Sequence, residues 1–175
     1  MYSEPCSAPS VGTPIALTAC VPFAITKNSD GYVVAAGDGT STACVDTNML
    51  CAMGATASQG TPPNYSLYGS GIYIGFGAAG LVPSGADLTL SVTSIPAYGL
   101  ETSVTSGGTQ FYAEIQVGAT MPVTIPWSTF NTLGYETIPD GGAFNGTSAI
   151  TSIGLQANAG PEMASWSFCV TTLTL

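Results

Sequence analysis

The chain has 175 residues, 45% of them hydrophobic and only 6% charged, with a formal net charge of -9. Lys27 is the only basic residue and there is no histidine. Nucleic acid and anionic membrane surfaces, which are bound through Lys and Arg, are therefore excluded as partners, and acidic polysaccharides are poor ones. The absence of histidine also rules out Ser-His-Asp and Cys-His catalysis.

No apolar run approaches the length of a transmembrane helix. No signal peptide is visible behind Met1, which is followed by Tyr2, Ser3 and Glu4. An exported protein would therefore correspond to a mature chain. The length fits one domain, read as residues 15–175 behind an N-terminal arm, residues 1–14.

In chain order, Ile15, Leu17, Ala19, Val21 and Phe23 share one face of a first strand, with Pro22 near its end. Asn28 to Gly31 is a turn, Tyr32 to Ala36 a second strand, and Gly37 to Thr40 a second turn. Cys44 to Thr61, rich in Ala, Gly and Met, reads as loop or short helical turn. Ile72, Ile74 and Phe76 then alternate with Tyr73 and Gly75.

Alternation is clearest over residues 87–95, where Leu88, Leu90 and Val92 oppose Thr89, Ser91 and Thr93. Gly107-Gly108 is a turn, after which Phe111, Ala113, Ile115 and Val117 face inward and Tyr112, Glu114 and Gln116 outward. Val123, Ile125 and Trp127 form a shorter strand limited by Pro122 and Pro126, and Ile153, Leu155 and Ala157 alternate with Gly154, Gln156 and Asn158. The last strand, residues 165–175, changes phase between Val170 and Leu173, which predicts a β-bulge near Thr171-Thr172. Such short strands punctuated by Gly and Pro predict an all-β fold, a two-sheet antiparallel sandwich of jelly-roll type.

The five cysteines include no C-x-x-C pair, so disulfides in an oxidising compartment are expected rather than zinc. Local spacing pairs Cys6 with Cys20 and Cys44 with Cys51, leaving Cys169 as a small core residue. Asp30, Asp38, Asp46 and Asp140 sit in Gly- or Asn-containing turns, where backbone carbonyls could join them around a structural calcium. No other cofactor is implied. A glycosidase would need a second carboxylate beside Glu114, and nothing in the spacing chooses among Glu101, Glu136 and Glu162. The chain therefore reads as non-catalytic.

Four stretches carry a family resemblance: Cys44–Cys51 followed by Met53–Ala57; Tyr68 to Phe76; Val123 to Phe130; and Phe144 through Ala149–Gln156 to Trp166–Leu173. In their order they resemble bacterial secreted carbohydrate-binding-module-like domains with a galactose-binding-like jelly roll. The chain departs from that pattern in carrying Thr171 and Thr172 where such domains place calcium-linked acids. It also lacks a cysteine near Phe111–Ala113 to pair with Cys169.

The resemblance implies a secreted, extracellular or cell-surface protein that binds glycan. Neutral sugars are held by aromatic faces together with carboxylates and amides. Tyr112, Glu114 and Gln116 offer one of each on a single strand face, and Tyr73, Gln156 and Asn158 could extend it. The same outward residues also suit the ordinary solvated side of a half-buried sheet. A competing function is structural. With almost no lysine to blunt strand edges, the chain could build a homo-oligomer, filament or sheath by strand addition.

Overall fold

The computed structural model describes residues 33–37, 39–46, 49–64, 66–76, 78–132 and 142–175, with side chains from residue 50 onward. The proposed arm, the first strand at residues 15–23 and the turn at residues 28–31 lie outside them. The described strands are β1 (Val33–Gly37), β2 (Gly39–Asp46), β3 (Met49–Thr56), β4 (Gly69–Gly75) and β5 (Asp87–Val92). They continue with β6 (Leu100–Ser106), β7 (Thr109–Ile115), β8 (Val123–Pro126), β9 (Ile150–Asn158) and β10 (Ser165–Thr174).

They form two five-stranded sheets, β1-β4-β9-β6-β7 and β2-β3-β10-β5-β8, and every ladder is antiparallel. The chain is an all-β two-sheet sandwich, as the alternation predicts. Its connectivity has a simple logic. From β3 onward, each connection passes to the other sheet, except the β6–β7 hairpin. The eight strands β3 to β10 thereby trace a jelly roll, with β1 and β2 extending one edge of each sheet.

The inner faces follow the period-2 pattern. Leu88, Leu90, Ile72, Ile74, Leu100, Val104, Ile153, Leu155, Phe168 and Val170 are all buried. One buried polar contact links the layers: Trp166 Nε1 donates to Ser70 Oγ at 2.8 Å, and Ser70 Oγ donates to the Ala55 carbonyl at 3.1 Å. The expected bulge is present, with the β10–β5 register shifting between Val170 and Thr172.

Three local readings are corrected. Of the segment read as a loop over residues 44–61, residues 44–46 end β2 and Met49–Thr56 is β3, while residues 57–61 lie in the connection that follows. Its small residues suit a central strand beside bulky neighbours, since Gly54 lies opposite Trp166 and Ala52 opposite Phe168. Val117 does not face inward: β7 stops at Ile115, and Val117 is exposed before Gly118, whose φ of 86° makes the turn. Finally, β6 answers to no strand expected above. Gly107 and Gly108, at φ 57° and 81°, are the two-residue turn of a hairpin that joins it to β7.

Candidate functional site

The outer face of the first sheet carries the polar residues. Ladder register aligns Gly71, Gln156, Glu101 and Glu114 in one row across β4, β9, β6 and β7. The next row is Tyr73, Gly154, Ser103 and Tyr112. Alternation puts both rows on the same side, because their inner neighbours Leu100, Thr102, Ala113, Leu155 and Ile72 are in the core.

Gly154 is required by this arrangement. A Cβ there would fall on Ser103 Oγ and 2.7 Å from the Tyr73 ring, so one edge of the tyrosine packs against the glycine. Gln110 fixes the second row. Its Nε2 donates to Tyr73 Oη at 3.0 Å and to Ser103 Oγ at 2.9 Å, while Tyr112 Oη donates to Gln110 Oε1 at 3.0 Å.

Beside the first row, Asn158 Nδ2 donates to Glu114 Oε1 at 3.3 Å and Gln116 Nε2 to Glu114 Oε2 at 2.6 Å. Glu101, Glu114, Gln156 and Asn158 floor an open cleft of about 540 Å³. Gln59, Tyr68 and Tyr98 form its walls. Backbone bonds tie those walls to β9: Ala159 N–H donates to the Tyr68 carbonyl at 2.7 Å, and Asn158 N–H to the Gly99 carbonyl at 3.3 Å. Gln59 Nε2 caps the Leu67 carbonyl at 2.8 Å, and the Tyr98 ring packs over Gly160.

Burial, and secondarily the charge of Glu114, raises the Glu101 pKa from 4.5 to about 7. Burial likewise raises Tyr112, with smaller contributions from Tyr73, Glu101 and Tyr68. Below neutral pH, Glu101 is thus a carboxylic acid with one O–H to donate. The cleft then offers an acid donor, carboxylate and amide acceptors, amide donors and phenol rings within one surface.

All six residues singled out as ligand-binding occupy or adjoin this face. Glu114, Gln156 and Asn158 line the cleft, Tyr73 and Tyr112 fill the adjacent row, and Gln116 joins through Glu114 from just beyond β7. Glu101, Tyr68, Tyr98 and Gln59 were not among them. The signal for Glu101 was available: Leu100, Thr102 and Val104 alternate with it ahead of Gly107-Gly108. Tyr68, Tyr98 and Gln59 sit in connections, where no period places a side chain.

The disulfide reading is corrected. Cys51 is bonded to Cys169, with Cα atoms 3.9 Å apart, and not to Cys44. On β3, Cys51 has Cys44 in register on one side and Cys169 on the other. Sequence proximity therefore could not select the partner, and Cys169 is bridged rather than a lone core thiol. Cys6 and Cys20 lie outside the described residues, as do Asp30, Asp38 and Asp140; Asp46 ends β2 opposite Met49. Among the described residues no three His, Cys, Asp or Glu side chains gather as a metal site.

The chain matches no protein-family model and no curated protein.

Proposed function

We propose that this is a non-catalytic extracellular module that binds neutral carbohydrate in the cleft on the outer face of the first sheet. The observation that carries the reading is the side-by-side placement of Tyr68 and Tyr98 with Glu101, Glu114, Gln156 and Asn158. Phenol rings suit the C–H faces of a pyranose, and the acids and amides suit its hydroxyls, each of which both donates and accepts. An open cleft fits a chain lying along the sheet. Glu114 is held at both oxygens by amides, which favours a fixed acceptor over a nucleophile. The Cys51–Cys169 bond agrees with an oxidising, secreted setting.

The test is calorimetric titration with neutral oligosaccharides of glucose, xylose, mannose and galactose. Wild type should bind at least one of them. Tyr68→Ala and Gln156→Ala should each weaken it by about 1–3 kcal/mol. The absence of binding across the panel, or alanine variants that bind like wild type, would refute the reading. New reducing ends after incubation would refute its non-catalytic part.

A further inference from the structure

We propose that the cleft selects amino sugars, seating a ligand ammonium between Glu101 and Glu114. This rests on the cleft binding neutral saccharide, as proposed above, and adds that an amino sugar of the same backbone is held there more tightly.

Glu101 and Glu114 are directly opposed on β6 and β7, both on the outer face and both in the cleft. Directly opposed side chains have Cβ atoms about 4.5–5.5 Å apart, close enough for one cation to touch both carboxyl groups. The groups around the pair are neutral or acidic. β9 presents Gln156 and Asn158, β4 presents Gly71, β7 adds Tyr112, and the walls present Tyr68 and Tyr98. Among the described residues there is no lysine or arginine, because Lys27 lies outside them.

Burial of Glu101 disfavours its charged form, and the Glu114 carboxylate opposed to it across the ladder adds to that cost. Glu101 answers this at present by holding its proton, with its pKa up at about 7. A neutral sugar leaves that arrangement unchanged. An ammonium does more, since it supplies the missing counter-charge and lets Glu101 ionise against it. Phenol faces attract cations as well, so Tyr68 and Tyr98 favour the same ligand. The amides of Asn158 and Gln116 hold Glu114 in place without neutralising it.

The experiment compares two ligands of one backbone, the β-1,4 tetramers of glucosamine and of N-acetylglucosamine, at pH 6.5 in low salt. Wild type should bind the amino form at least tenfold tighter, and that ratio should shrink in 0.5 M NaCl. In Glu101→Gln and Glu114→Gln, each checked for fold by circular dichroism, the ratio between the two ligands should fall towards one. If the acetylated tetramer binds as tightly as the amino form, selection fails while saccharide binding stands. If neither binds wild type and the neutral panel is also silent, both readings fail. Spermine binding as tightly as the amino tetramer, with the same dependence on Glu101, would overturn the sugar assignment in favour of a simple cation site. The salt response of wild type tests the charge argument even if a variant does not fold.

Discussion

Glu101 and Glu114 stand opposite each other across the β6–β7 ladder, with Glu101 the more enclosed of the two. The hairpin that opposes them turns on Gly107 and Gly108, both at positive φ, so the register is set a full strand length from the acids. Opposing like charges is a stability cost that a sheet designed only to fold would avoid.

Burial of Glu101, with the charge of Glu114 as the lesser cause, gives a pH dependence of known sign. Unfolded, Glu101 releases its proton near 4.5; folded, it does so near 7. Between those values the folded state keeps a proton that the unfolded state has lost, so raising the pH favours unfolding. The contribution is fully present below 4.5, is lost progressively up to about 7, and is flat above. Glu101→Gln should therefore stabilise the protein at pH 8 by roughly 2–3 kcal/mol and change it little at pH 4. Urea unfolding of both proteins at the two pH values checks this. An equal effect at both pH values would show that Glu101 is not the group responsible.

The Cys51–Cys169 bond joins residues 118 apart in sequence, so it restrains a large part of the unfolded chain. Cys169→Ser should lower stability by about 2–5 kcal/mol. Peptide mapping under non-reducing conditions should recover the peptides containing Cys51 and Cys169 joined. A peptide joining Cys44 to Cys51 would contradict the structure.

Thr102 lies at the centre of β6 on the inner face, and its Oγ1 is buried with no hydrogen-bond partner among the described residues. Leaving a hydroxyl unpaired in the core costs on the order of 1–3 kcal/mol. Thr102→Val keeps the branched shape and removes the hydroxyl, so it should raise the thermal midpoint, with a gain of about 1 kcal/mol. A lowered midpoint in calorimetry would mean that the hydroxyl has a partner in solution.

Gly71 lies in the cleft row, where β4 approaches β9 so closely that a Cβ would fall on the Leu155 carbonyl oxygen. That atom is backbone in a central strand and cannot swing away. Gly71→Ala should therefore cost at least about 2 kcal/mol and loosen the β4–β9 ladder. Hydrogen exchange at Ile72 and Leu155 amides is the direct readout, and unchanged protection there would count against this packing.

The sequence by itself determined the class of fold and much of one face. Alternation at Leu88 to Val92 and Phe111 to Ile115 dictates which side of a strand meets the core, since a one-residue slip would expose every apolar side chain. The same rule put Tyr112 and Glu114 outward together and located the bulge in β10. It could not find β3, whose Ala and Gly residues carry little hydrophobic contrast and matter only for what they oppose, Trp166 and Phe168.

Tertiary structure alone decided which strands adjoin. Glu101 meets Gln156 on one side and Glu114 on the other because β6 lies between β9 and β7. Likewise, Cys51 meets Cys169 because β10 lies against β3. The physical reason is that side-chain period is a local property of a strand. Neighbour choice is settled by how two sheets bury their inner faces against each other, and that is a property of the whole chain.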